Sequence, residues 1–160
     1  MKFMTIGYEG LSVQQLLEIL IDNRVQVLVD VRESPISRKA GFSKSSLALA
    51  VRRCNIEYIH IPELGCPRQI RYAYRADSDW ERYEKQFTRY LDTQDAAISD
   101  LIKQAQKARC CLMCFEANPR FCHRSLIARR VERMASWDIA VDHLIRHSKG
   151  PVALSDPVAT

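Results

Sequence analysis

The chain has 160 residues, 47% of them hydrophobic, with 24 Lys and Arg against 19 Asp and Glu and a formal net charge of +5. That composition builds one domain with a real core and excludes a disordered chain. No run of about 18 apolar residues is present, which excludes a membrane-spanning helix. The first ten residues, MKFMTIGYEG, hold no apolar signal core, so a cytoplasmic location is expected.

In chain order, FMTIGYE (3–9) is apolar and then abruptly polar, as a buried strand and its exit loop are. Ser12 with Gln15 three residues later is a capping box, and Leu16, Leu17, Leu20 and Ile21 recur at helical spacing. VQVLVDVR (25–32) is β-branched and nearly all apolar, the pattern of a central parallel strand. A polar loop punctuated by Pro35 and Gly41 follows. Ser43 is placed to cap a short helix running to about Arg53. EYIHIPEL (57–64) reads as a third strand ended by Pro62, and GCPRQIRYAYRADS (65–78) as a long irregular link.

Asp79 opens a helix with the apolar stripe Trp80, Tyr83, Phe87, Tyr90 and Leu91, and a second helix carries Ile98, Leu101, Ile102 and Ala105. ARCCLMCFE (108–116) is another buried strand. Pro119 breaks it, and a helix from about Cys122 to Ala135 buries Leu126, Ile127, Val131 and Met134. DIAVDHLIR (138–146) supplies a last strand. The domain is expected to span 1–147, with 148–160 as a loose tail. Alternation of strands and helices predicts a single three-layer α/β domain of Rossmann-like type, with a mainly parallel sheet of about five strands.

Ligands of such sheets bind beyond the carboxyl ends of the strands. Four exits deliver polar groups there: Thr5, Gly7, Tyr8 and Glu9; Asp30, Arg32, Ser34 and Arg38; Glu63, Gly65 and Arg68; Glu116, Cys122, His123 and Arg124. Asp30 lies inside an apolar run, where a carboxylate needs a partner, and a nearby Arg is the natural one. His123 and Arg124 open a helix, where cations oppose the helix dipole unless an anion is bound with them. Glu116 as an internal partner of Arg124 is the alternative. The candidate catalytic set is therefore Glu116, His123, Asp30, Cys122 and Cys114. The candidate ligand-binding set is Gly7, Tyr8, Arg32, Arg38, Arg68 and Arg124.

Six cysteines are unevenly spaced and expected to be reduced. Cys111 and Cys114 have CxxC spacing with Cys122–His123 nearby, a set zinc or iron would accept. Positions three apart on a strand point to opposite faces, so no metal or other cofactor is assigned. Cys114 to Arg120 also has the C-x5-R spacing of phosphatase-type loops, and VDVRESP is similar to the early strand of rhodanese-like domains. Cys122, at a helix start beside His123, is a second candidate thiol. In 66–75, Arg68, Arg71 and Arg75 interleave with Tyr72 and Tyr74, a pattern able to grip phosphates and stack bases.

TIGYEG, VDVRESPISRKAGFSK, YIHIPELG and CFEANPRFCHRSLIA together resemble the domain-of-unknown-function 488 family, from residue 5 to about 128. The resemblance marks Cys114, Glu116, Pro119, Cys122, His123 and Arg124, and earlier Gly7, Asp30, Arg32, Pro35, Ser37 and Arg38. It implies no activity. Arg120 falls in the variable part of the block, and Cys66 stands where a second glycine is common.

The function expected is binding of an anionic ligand, a nucleotide or nucleic acid, with hydrolytic or transfer chemistry handled by Glu116 and His123. Two alternatives stay open. One is a thiol-dependent enzyme of rhodanese or phosphatase type. The other is a non-catalytic nucleic-acid module using 66–75 and the helix bearing Arg124, Arg129, Arg130 and Arg133.

Overall fold

The computed structural model describes residues 2–146, so the tail proposed for 148–160 lies outside the described residues. Strands β1 (Lys2–Gly7), β2 (Val27–Asp30), β3 (Glu57–His60), β4 (Cys110–Cys114) and β5 (Ala140–Leu144) form one parallel sheet in the order β3-β2-β4-β1-β5. Helices α1 (Val13–Asp22), α2 (Lys44–Arg53), α3 (Arg68–Asp77), α4 (Trp80–Leu91), α5 (Asp95–Lys107) and α6 (His123–Met134) complete it. This is the three-layer, Rossmann-like α/β domain expected. No helix among the described residues is long and apolar enough to cross a membrane.

Strand alternation sorts the core into two layers. Met4, Ile6, Leu28, Cys111 and Met113 face Leu16 and Leu20 of α1 and Leu47 and Val51 of α2. Val27, Val29, Cys110, Leu112 and Cys114 face Phe87 of α4, Leu101 of α5 and Ile127 of α6. Cys111 and Cys114 therefore do lie on opposite faces. β4 sits between β1 and β2, so the chain leaves β1 towards β3 and leaves β4 towards β5. The reversal makes a crevice at the carboxyl ends of β1, β2 and β4, where such sheets hold ligands.

Several local expectations change. Residues 65–78 are not an irregular link: Arg68–Asp77 is helical, ended by Ser78 in the left-handed conformation (φ 56°). α3 buries no residue completely and rests on the core through Ile70 and Tyr74 alone. The helical spacing of Ile70 and Tyr74 is present in the sequence, but Gly65 and Pro67 just before it and the low overall apolar content read as a loop. Ile21 and Met134, expected inside, are 51% and 43% exposed. The Ser12–Gln15 capping box forms. Ser43 stands at the start of α2 without capping it. Its Oγ instead accepts from the Ser37 N–H (3.1 Å) and donates to the Ser37 carbonyl (3.2 Å), tying down the loop after β2.

Candidate functional site

The crevice encloses a cavity of about 290 Å³. Tyr8 enters from β1, Arg32 to Arg38 from β2, Cys66 from the turn after β3, and Cys114 to Glu116 from β4. Arg71 and Arg75 of α3, Tyr83 of α4 and His123 of α6 close the wall. A larger hollow of about 540 Å³ lies along α5, between His60 and Lys107. It is walled by ordinary mixed-charge surface and gathers none of the cysteines, so the smaller crevice is where the chemistry converges.

One side rests on a buried ion pair. Arg32 Nε donates to Asp30 Oδ1 at 2.9 Å and Nη2 to Oδ2 at 2.7 Å, a bidentate fork. Arg32 Nη1 donates to the Phe42 carbonyl (2.7 Å) and the Tyr8 hydroxyl (3.3 Å). Burial works against the Arg32 charge, but the Asp30 carboxylate outweighs it and raises the pKa. The Tyr58 hydroxyl also donates to Asp30 Oδ2, and burial with that bond raises the Tyr58 pKa. Asp30 thus orients an arginine, as expected, and stays behind the wall. Tyr8 stacks on Phe42, with ring centroids 4.5 Å apart.

The floor is built by the β4–α6 connection. The thiols of Cys114 and Cys122 each donate to Glu116 Oε2 at 3.3 Å. Cys122 Sγ lies 3.8 Å from His123 Nδ1, and His123 Nε2 lies 2.8 Å from the Val31 carbonyl. A carbonyl only accepts, so Nε2 carries a proton, and Nδ1 is the ring atom that faces the sulfur. Burial opposes the charge on Glu116, yet His123, a backbone hydrogen bond and both thiols hold its carboxyl below the usual range. Burial, with Cys122 and Glu116 beside it, pushes the Cys114 thiol well above its usual range. Across the cavity, burial pushes Cys66 up to about 12.

Arg124 holds this connection from behind. It is fully buried and does not line the cavity. Nη1 donates to Cys114 Sγ (3.1 Å) and to the Glu116 carbonyl, Nη2 to the Ala117 carbonyl (3.1 Å), and Nε to Thr5 Oγ1 (3.1 Å). The loop thus turns carbonyls, not N–H groups, towards its arginine. Gly7 lets the same loop pass: a Cβ there would lie 1.7 Å from the Glu116 carbonyl oxygen. Gly65 does likewise for the other wall, where a Cβ would meet the Glu33 nitrogen at 2.2 Å.

The rim is cationic. The side chains of Arg38 and Arg75 make no hydrogen bond or ion pair among the described residues, and Arg71 reaches the Cys66 carbonyl (3.0 Å) and, weakly, Glu33 (3.7 Å). On the outer face of α3, the Arg68 and Arg75 guanidiniums lie 5.1 and 5.8 Å from the Tyr72 ring centroid.

Of the candidates, Tyr8, Arg32, Arg38, Cys114, Glu116 and His123 line the cavity. Cys122 touches Glu116 and His123 from beneath. Gly7, Asp30 and Arg124 support the wall. Arg68 stands outside, against Tyr72. Arg120 lies away from the cavity, its backbone N–H bonded to Asn118, so C-x5-R frames no common hollow. Arg71 and Arg75 are read in the sequence only as part of a loop. Their four-residue spacing is the signal, once 68–77 is known to be helical. Cys66, Glu33 and Tyr83 carry no sequence signal beyond a core stripe or a loop.

Fold and crevice together define a parallel α/β domain with a thiol–carboxylate–imidazole floor and an arginine rim at its switch point. The family model described as Domain of unknown function DUF488 matches residues 12–131, and the chain belongs to that family. The matched span contains both VDVRESPISRKAGFSK and CFEANPRFCHRSLIA, the stretches that build the wall and the floor. No curated protein and no solved structure matches the chain.

Proposed function

We propose that the crevice binds an anionic ligand, a nucleotide or the end of a nucleic-acid strand. The observation that carries this reading is the set Arg38, Arg71 and Arg75 at the mouth of a cavity of about 290 Å³, opposed there by Glu33 and Glu116 alone. Such a volume suits a small ligand or a terminal phosphate, since small-molecule sites run from about 300 Å³ upwards. A duplex would not enter it. Arg75 also belongs to the Arg68–Tyr72–Arg75 ladder, which offers a continuing strand both charge and an aromatic face. Hydrolysis or transfer at a bound phosphate would fall to the floor, where Glu116 and His123 can exchange a proton.

The alternatives have less support. A thiolate nucleophile is disfavoured by the raised Cys114 thiol and by a loop whose carbonyls face its arginine. On α6, Arg124 is buried, Arg130 bonds Asp92 at 2.7 Å and Arg129 bonds Glu84 at 3.2 Å, which leaves Arg133 alone of the four exposed and without an ion pair among the described residues.

The test is titration of AMP and of a short labelled single-stranded oligonucleotide across a salt series. Three rim cations should give log K a slope against log salt of roughly −2 for the oligonucleotide, and each rim arginine replaced by Ala should reduce that slope by roughly 0.7. Binding indifferent to salt, or unchanged by Arg71→Ala and Arg75→Ala together, would sink the reading.

A further inference from the structure

The floor carries more than a lining role. Cys114 Sγ, a Glu116 carboxylate oxygen, Cys122 Sγ and a His123 ring nitrogen all lie within 4.8 Å of one another. We infer that they form a zinc-type metal site, with Cys114, Glu116, Cys122 and His123 as its ligands.

Geometry and donor chemistry agree on the ion. Ligands about 2.0–2.3 Å from a tetrahedral zinc stand about 3.3–3.8 Å from one another. Three of the six separations fall in that range, 3.3 Å from each thiol to Glu116 Oε2 and 3.8 Å from Cys122 Sγ to His123 Nδ1, and the other three lie within 4.8 Å. Two sulfurs, one imidazole and one carboxylate select a borderline-soft divalent ion over magnesium or calcium. The CxxC pair is not the site: Cys111 packs on the far face of the sheet with Met4 and Leu16, and Glu116 takes its place.

Two independent features belong to a metal centre. His123 is held through Nε2 on the Val31 carbonyl, leaving Nδ1 towards the cluster. This is the outer bond that orients metal-binding histidines. Arg124 is the second. Its guanidinium is fully buried, yet no carboxylate stands within ion-pair distance of it among the described residues. A buried charge without a counter-charge is costly. A divalent ion held by two thiolates and a carboxylate carries one net negative charge. Arg124, 3.1 Å from Cys114 Sγ, neutralises it.

This inference goes beyond the anion-binding reading and stands without it. A bound ion would turn Glu116 and His123 from proton carriers into ligands, at the floor of the same cavity.

The experiment loads reduced, tag-free protein with Zn²⁺ or Co²⁺ and measures metal per chain after gel filtration. One ion per chain is expected, with intense thiolate-to-cobalt charge-transfer absorption in the Co²⁺ form. Cys122→Ser and His123→Ala should each weaken metal binding by more than the roughly 10–100-fold that outer-shell changes cost. Cys54→Ser and Cys111→Ala should keep the ion. Circular dichroism reports whether each variant folds. Where one does not, thiol counting on the wild type replaces it: chelation should raise the number of reactive thiols by two. Trace metal only, cobalt absorption without a thiolate band, or unchanged metal in folded Cys122→Ser would overturn the site. Arg71→Ala with Arg75→Ala should keep the metal while losing the anion, so the two readings fail separately.

Discussion

The arginines of the crevice fall into two groups that look alike in sequence and behave oppositely. Arg32 and Arg124 are 7% and 0% exposed, and they give their N–H groups to Asp30, Tyr8, Thr5, Cys114 and backbone carbonyls. Arg38 and Arg75 have no such partner among the described residues, and Arg71 has one good bond. The buried group fixes the shape of the site. The rim group has donors left for something else. A cation at a strand end or helix start is thus not a ligand by position; how many of its donors the protein already uses decides.

The sharpest way to break this division is to remove a partner from the buried group. Asp30→Ala leaves Arg32 buried with its fork unfilled, and such a loss costs about 3–5 kcal/mol. Urea unfolding should show it as a lowered midpoint; a change under about 1 kcal/mol would mean Arg32 reaches water and belongs with the rim. Gly7→Ala comes next. Its Cβ meets the backbone of Glu116, so the loop must move, at about 1–3 kcal/mol. Unfolding should report that cost, and metal loading should fall with it; a variant as stable as the wild type would show that the floor is looser than drawn.

The smallest effect concerns the link from Arg124 to the sheet edge. Arg124 Nε donates to Thr5 Oγ1, and the same hydroxyl lies 2.7 Å from His143 Nδ1, to which it can donate when the ring is neutral and protonated on Nε2. Burial lowers the His143 pKa, Arg124 lowers it further, and Asp142 opposes them. A histidine that prefers to be neutral when folded stabilises less as protons are added. Stability at His143 should be intact above its unfolded pKa of about 6.5 and decline as pH falls below it. His143→Gln should flatten that part of the pH–stability curve; an unchanged slope would remove His143 from the network.

Much of this is legible in the sequence. Asp30 inside VQVLVDVR required a partner, and Arg32 was two residues away. Alternation placed Cys111 and Cys114 on opposite faces. The block ending in Cys122–His123–Arg124 located the floor. What could not be read were consequences of three-dimensional approach. Arg124 turns inward because carbonyls of its own loop face it, and nothing in one sequence announces a carbonyl's direction. Cys66 and Tyr83 reach the cavity only because the turn after β3 and helix α4 fold across it. Arg71 and Arg75 were missed because Gly65 and Pro67 suggest a loop and outweigh the four-residue spacing of Ile70 and Tyr74 that marks α3.

The most direct measurement takes Asp30→Ala and the Arg71→Ala, Arg75→Ala pair through the same two assays, urea unfolding and AMP titration. The rim pair should keep its stability to within about 0.5 kcal/mol, as surface changes do, and lose most of its AMP affinity. A rim pair that binds AMP as the wild type does, or that unfolds as readily as Asp30→Ala, would contradict the assignment of the crevice as an anion site.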